Sequence, residues 1–322
     1  MNTPLLFSIR QNLTSFNVTL LGFQGSHLFQ MFCFTFFLLI YCATMCGNLL
    51  IILLVSSNKN LHTPMYFFLT QLSISDILLS SDIVPNLLHV LLHSPIAMSF
   101  SSCITQLFFF IMAEGFECFL LTIMSYDRYI AICNPLQYNT IMKHETCIKL
   151  VLLSWSLIFL PSLVEVLTVY NLWFCEQNII DHFFCDMEPL LDLSCSDTSI
   201  VHIEMFVACF PLAIFPFSFI IASYICIIYN ILIIQSTTSR QKAFSTCISH
   251  LTVVSIFFGT LFFTYIVLTK VQLFTLGKIL SVFYTVVIPL LNPVIYSLRN
   301  KDIKTALNKS AHNVLLSFLH FR

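Results

Sequence analysis

The sequence predicts an all-α membrane protein: a bundle of seven transmembrane helices followed by a short amphipathic eighth helix. Three observations carry that prediction. Of 322 residues, 58% are hydrophobic and only 9% are charged, whereas roughly a quarter of a soluble domain is charged. Seven apolar runs fall near 28–55, 64–92, 101–126, 147–170, 201–232, 243–268 and 279–298, each long enough for the roughly 20 residues that cross a bilayer. The basic residues are also unevenly shared between the gaps. With the N-terminus outside, the inner segments hold Lys59, Arg128, Lys143, Lys149, Arg240, Lys242, Arg299, Lys301, Lys304, Lys309 and Arg322, and the outer segments only Arg10, Lys270 and Lys278. Such asymmetry sets membrane topology. Backbone groups in lipid need internal partners, so the spans are helices. A barrel would alternate in segments of about ten residues, and these runs do not alternate.

The expected organisation is an outer N-terminus (1–27), a seven-helix domain (28–298) and an inner amphipathic helix and tail (299–322). The N-terminal segment has no basic stretch followed by an apolar core, so it does not read as a cleavable signal. Asn12-Leu-Thr14 and Asn17-Val-Thr19 are glycosylation acceptors that this topology puts outside. The first span carries Gly47-Asn48. The second opens at Leu61-His-Thr-Pro-Met-Tyr-Phe-Phe-Leu69, with Pro64 suited to a first turn, and it buries Asp76. The third contains Phe110, Ile111, Glu114, Gly115 and Glu117, and ends in an acid and a base, Asp127 and Arg128, followed by Tyr129. Charges at the foot of a membrane helix are expensive to bury and mark function or an interfacial anchor.

After the fourth span comes an acidic loop with Glu176, Asp181, Asp186, Glu188, Asp192 and Asp197. Cys175, Cys185 and Cys195 of this loop, with Cys103, lie on the oxidising side, where four cysteines allow three pairings. Cysteines within the spans read as small buried hydrophobes. The fifth span supplies Ala208, Leu212 and Tyr224. The sixth opens at Lys242-Ala-Phe-Ser-Thr-Cys-Ile-Ser-His-Leu251 and continues through Leu261, Phe262 and Tyr265. In the seventh, Pro293 removes a backbone hydrogen bond beside Asn292 and lets the helix bend near Tyr296. Asn48, Asp76 and Asn292 would each be costly if left unpaired in lipid, so one interior polar network is expected. Ile303, Ala306 and Leu307 then share one face among lysines, the pattern of a helix lying on the inner leaflet.

Met124-Ser-Tyr-Asp-Arg-Tyr-Ile-Ala-Ile-Cys-Asn-Pro-Leu-Gln-Tyr138 resembles the Asp-Arg-Tyr segment of rhodopsin-like (class A) G protein-coupled receptors. With Leu61–Leu69, Phe174–Asp186, Lys242–Leu251 and Tyr296–Leu307, the chain is similar over about residues 20–308 to vertebrate olfactory receptors of the larger, terrestrial-type class. Ser125, Asn134 and Phe258 depart from the usual alanine, histidine and tyrosine. The resemblance implies a plasma-membrane receptor that binds a small volatile odorant and raises cyclic AMP through a stimulatory, olfactory-type heterotrimeric G protein. It also implies disulfides Cys103–Cys185 and Cys175–Cys195, and a ligand site at Phe110, Ile111, Glu114, Gly115, Ala208, Leu212, Leu261, Phe262 and Tyr265. Coupling falls to Asp127, Arg128, Tyr129, Tyr224, Lys242, Asn292, Pro293 and Tyr296. The network of Asn48, Asp76 and Glu117 includes a sodium site at Asp76 and Glu117; no other metal and no cofactor is implied. Glu114 stands where the family has a small residue. It reads either as an acid facing the pocket and selecting an amine or hydrogen-bond donor, or as a protonated carboxyl bonded to a neighbouring helix. Glu165 and Glu204 add to either reading.

Other classes fit poorly. No His-Glu-x-x-His or Gly-x-Ser-x-Gly motif suggests an enzyme, and no repeated halves suggest a transporter. A retinal lysine would stand at Val286. Net charge of −1 argues against a nucleic-acid partner. A peptide or amine receptor of the same class would have a longer third inner loop and would lack the motifs quoted.

Overall fold

The computed structural model describes residues 17–174, 178–267, 274–299 and 302–309. Among the described residues, seven helices are long and apolar enough to cross a membrane. The first four are His27–Ser57, Pro64–His93, Phe100–Cys133 and His144–Tyr170. The third outruns its apolar stretch, so Asp127 and Arg128 lie within the helix rather than at its foot. Nothing breaks it until Asn134-Pro135, where the residue before proline leaves the helical region and Pro135 opens a short helix, Pro135–Ile141. The sixth helix, Thr237–Val267, likewise starts before its expected limit.

The fifth and seventh spans contain features the apolar pattern does not show. Single π turns, Phe210–Ile214 and Phe283–Val287, interrupt them. In the fifth, Pro211 and Pro216 each withdraw a backbone donor, which loosens the ordinary hydrogen-bond ladder. The seventh resumes as Ile288–Arg299 and runs through Pro293.

The third helix is the axis of the bundle and packs against the second, fourth and fifth. Two glycines set how closely its neighbours approach. A Cβ on Gly115 would lie 2.2 Å from Ile158 of the fourth helix, and one on Gly47 would lie 3.2 Å from the ring of Pro293. The first and fifth helices turn large apolar side chains outward, among them Leu28, Phe32, Phe206 and Ile225, as a lipid-facing surface requires.

One end of the bundle carries a small sheet. Strand β1 (Asn17–Leu20) lies between β2 (Ile96–Ser99) and β3 (Ile179–Ile180). It pairs antiparallel with β2, Val18 opposite Met98, and parallel with β3, Thr19 opposite Ile179. The N-terminal segment, for which the sequence suggested no secondary structure, is therefore partly a structural strand, with Val18 and Leu20 fully buried. At the opposite end, residues 302–309 form the short eighth helix. Ile303 and Ala306 are buried, while Leu307 is 37% exposed. Tyr66 of the second helix donates to Asp302 at 3.1 Å and ties that helix down.

Candidate functional site

Midway along the bundle, the seventh helix inserts one amide between two carboxylates. Asn292 Nδ2 donates to Asp76 Oδ1 and Oδ2 at 3.0 and 3.2 Å, and to Glu117 Oε1 at 3.3 Å. All three residues are buried. Two carboxylates this close in a low-dielectric interior repel if both are ionised, so the site suits a shared proton or a cation. The expected single network divides in two. Among the described hydrogen bonds, Asn48 joins neither acid; its Nδ2 donates to Thr44 O and to Pro289 O, each at 3.1 Å. Pro289 lies four residues before Pro293, whose ring has no N–H to offer its carbonyl. Asn48 supplies that missing donor from another helix.

At the end opposite the sheet, Asp127 is fully buried and uses both oxygens. Arg128 Nε donates to Oδ2 at 3.0 Å, and the guanidinium makes the ion pair with the same oxygen. Tyr138 OH donates to Oδ1 at 2.8 Å. Tyr138 belongs to the motif's last position, and its phenol is pushed up first by burial, then by Asp127. Tyr224 OH shares a 2.8 Å hydrogen bond with His250 Nδ1, joining the fifth and sixth helices, and the rings stack at 5.6 Å. Tyr296 OH is buried with no hydrogen-bond partner among the described residues. Tyr129 is half-buried. The side chain of Lys242 lies outside the described residues. Sequence reasoning singled out Tyr224 but missed His250 as its partner, although His250 stands in the Lys242–Leu251 segment.

At the strand end, the Cys103–Cys185 disulfide fastens the loop to the first turn of the third helix. Cys195 is also disulfide-bonded, while Cys175, its expected partner, and the sequon at Asn12 lie outside the described residues. Asn17 is exposed at the start of β1. Lys278, expected only as an outer cation, is 8% exposed and holds three segments together. Its Nζ donates to Asp181 Oδ1 at 2.5 Å and to Gly22 O at 2.9 Å. Gly22 adopts φ 62°, a left-handed conformation open to glycine. Beside this clasp, His182 Nε2 meets Ser281 Oγ at 3.2 Å, Tyr284 OH donates to Ser281 at 3.1 Å, and Tyr284 reaches Asp186 at 3.4 Å. Burial, then Lys278, lowers His182 to about 3; burial raises Asp186 to about 6.

Below this lid the expected ligand residues divide. Phe110 is buried and sets its ring against Phe184 of the loop at 5.3 Å and Tyr284 at 5.8 Å. Ile111, Ala208, Leu212, Leu261 and Phe262 are half-buried. Phe262 packs on Phe217 at 5.1 Å, within a cluster that includes the buried Phe258. The π turn begins between Ala208 and Leu212, so their spacing is not that of a regular helix face. Gly115 faces Ile158 and serves helix packing. The side chain of Tyr265 is outside the described residues. Glu114 is half-buried, and its Oε1 is buried with no hydrogen-bond partner among the described residues. Glu204 accepts from Thr168 at 3.0 Å, and its other oxygen has no hydrogen-bond partner among the described residues. Tyr284 and Phe184 complete the lid over Phe110; neither was singled out from sequence, because their roles depend on contacts across the bundle.

Comparison with known proteins agrees with this architecture. The family model described as olfactory receptor matches residues 37–313. The chain is 48% identical to olfactory receptor 11L1 of Homo sapiens over 297 residues, 91% of each chain. It is 46% identical to olfactory receptor 5G9 of Mus musculus, covering 87% of this chain and 90% of that one. Olfactory receptor 8H1 of Homo sapiens is also 46% identical, covering 92% and 96%.

Proposed function

The chain belongs to the olfactory receptor family, and from that premise we propose how it receives and passes on its signal. It is an odorant receptor, a multi-pass G protein-coupled protein of the membrane and not an enzyme. In our reading the N-terminus is outside, so the strand end meets the odorant and the Asp127 end meets the G protein. The uneven distribution of Lys and Arg supports that orientation.

The odorant enters under the loop, beside Phe110, Ile111, Phe262 and Glu114. The partnerless Glu114 oxygen supports a protonated amine or another hydrogen-bond donor as the preferred ligand. Signalling is then a shift in population. Bound odorant favours an arrangement with the sixth helix displaced at the Asp127 end and Arg128 released from Asp127. A stimulatory G protein enters between Arg128, Lys242 and residues 300–304, and cyclic AMP rises. The observation that carries this proposal is the holding of Asp127: a buried acid whose two oxygens are occupied by its neighbour Arg128 and by Tyr138. Those contacts hold one state and are exchangeable for another. Reversing a 1:99 population takes a differential affinity of about 10⁴.

Asp76 and Glu117 fit a sodium ion, because carboxylate oxygens are suitable ligands for a hard cation and the only described hydrogen-bond donor between them is the Asn292 amide. When bound, the ion balances their charge; Asn292 orients both carboxylates from the seventh helix.

The test is a cyclic-AMP reporter in cells expressing the receptor, with amines and esters of matched carbon skeleton. Amine responses should fall at least tenfold in Glu114→Gln while ester responses stay, and all responses should vanish in Arg128→Ala at equal surface expression. Equal amine responses in Glu114→Gln would remove the role given to Glu114. Odorant responses that survive Arg128→Ala would overturn the coupling scheme.

A further inference from the structure

Outside these sites, two histidines stand one turn apart at the strand end of the second helix. We propose that His89 and His93 form a bidentate binding site for a transition-metal cation such as zinc, copper or nickel.

The sequence His89-Val-Leu-Leu-His93 places both imidazoles on one helix face, because residues four apart are neighbours. It is the spacing by which the two histidines of His-Glu-x-x-His helices hold zinc. Here Val90 occupies the position of the glutamate, so the site has ligands without a general base. It is a binding site and not a hydrolytic one.

The ring separation fits chelation. The two ring centroids are 5.0 Å apart and the planes are inclined at 60°. A metal–nitrogen bond of about 2.0–2.1 Å puts each centroid about 3.2 Å from the metal, hence centroids about 5.2 Å apart at a tetrahedral angle and about 4.5 Å apart at a right angle. The observed separation lies between the two. Both histidines are exposed, and among the described residues neither ring makes a hydrogen bond. Among those residues no third His, Cys, Asp or Glu joins them, so water completes the coordination. Imidazole ligands favour zinc, copper and nickel over calcium and magnesium. His93 also lies in the last turn of its helix, where the helix dipole favours a cation.

The position gives the site a structural consequence. Val90, between the two ligands, presses against Gly22, where a Cβ would lie only 2.1 Å from Val90 Cγ1. The helix then leads directly into β2. A bound metal staples the turn that supports the strands.

The test uses the full-length receptor in detergent micelles, without a polyhistidine tag. Zn²⁺, Ni²⁺ and Cu²⁺ are titrated by calorimetry into the wild type, His89→Ala and His93→Ala. Each substitution should weaken the tightest binding step at least tenfold, because a chelate loses its second arm. Exposed free thiols such as Cys42 and Cys209 also bind metals, so a second measurement reads the site directly. Zn²⁺ should protect His89 and His93 of the wild type from diethyl pyrocarbonate and leave the exposed His62 and His144 reactive. Equal affinity in all three proteins, or equal modification of all four histidines with and without Zn²⁺, would overturn the proposal.

Discussion

The two ends of this receptor are built to different rules. The strand end is fastened many times over: a disulfide, a three-stranded sheet, and a lysine that grips a loop acid and a distant backbone carbonyl. Among the described residues, the contacts around Asp127 are single hydrogen bonds and one pair between adjacent residues. Covalent and multi-strand fastening makes a lid that keeps one shape. Single contacts, each worth only about 1–3 kcal/mol net, suit the proposed exchange between two states. In the proposed reading, the fastened end is the one that recognises the odorant and the Asp127 end is the one that responds.

The largest effect should come from the disulfide. It closes a separation of 82 residues, and a loop that long is worth about 4–5 kcal/mol in the chain-entropy model. Cys103→Ser should therefore abolish surface expression, measured by antibody labelling of intact cells; normal expression would show that the sheet alone suffices. Next comes the clasp. Lys278→Met removes the donor shared by Asp181 and Gly22, and discounting the exposure of Asp181 leaves a loss of about 1–3 kcal/mol. A thermal-unfolding midpoint lowered by several degrees is expected, with no change in basal signalling.

At the other end, Tyr138→Phe deletes one hydrogen bond to Asp127. About 1 kcal/mol corresponds to a roughly fivefold change in the ratio of states, so basal cyclic AMP should rise several-fold with stability little changed. An effect on stability alone would erase the distinction between the ends. The smallest effect concerns pH. Asp186, raised to about 6, favours the fold in its protonated form, a contribution lost as pH rises from about 3.8 through 6. His182, lowered to about 3, favours the fold when neutral, a contribution lost as pH falls below about 6.5. The two oppose each other, so Asp186→Asn should make thermal stability fall more steeply than wild type between pH 6.5 and 4.5. Parallel profiles would contradict those environments.

The sequence made the seven spans legible because lipid leaves composition little freedom. Asp127 with Arg128 was legible for a different reason: the partners are adjacent. What stayed hidden depends on partners far apart in the chain. Asp181 and Lys278 are separated by 97 positions and Asn48 and Pro289 by 241, and no local pattern announces either pair. The strands were also illegible, since β3 has two residues and β1 four, too short for an alternation to register. Among the expected ligand residues, the close approach of Gly115 to Ile158 was also hidden, because a glycine at a helix crossing carries no mark in sequence.

The central claim is that the Asp127 end switches while the strand end stays fixed. Hydrogen–deuterium exchange of the full-length receptor, wild type against Asp127→Asn, tests it most directly. The account predicts faster exchange in Pro135–Ile141 and in the sixth helix near His250, with protection of β1, β2 and β3 unchanged. Equal loss of protection at both ends, or a change confined to the strands, would contradict it.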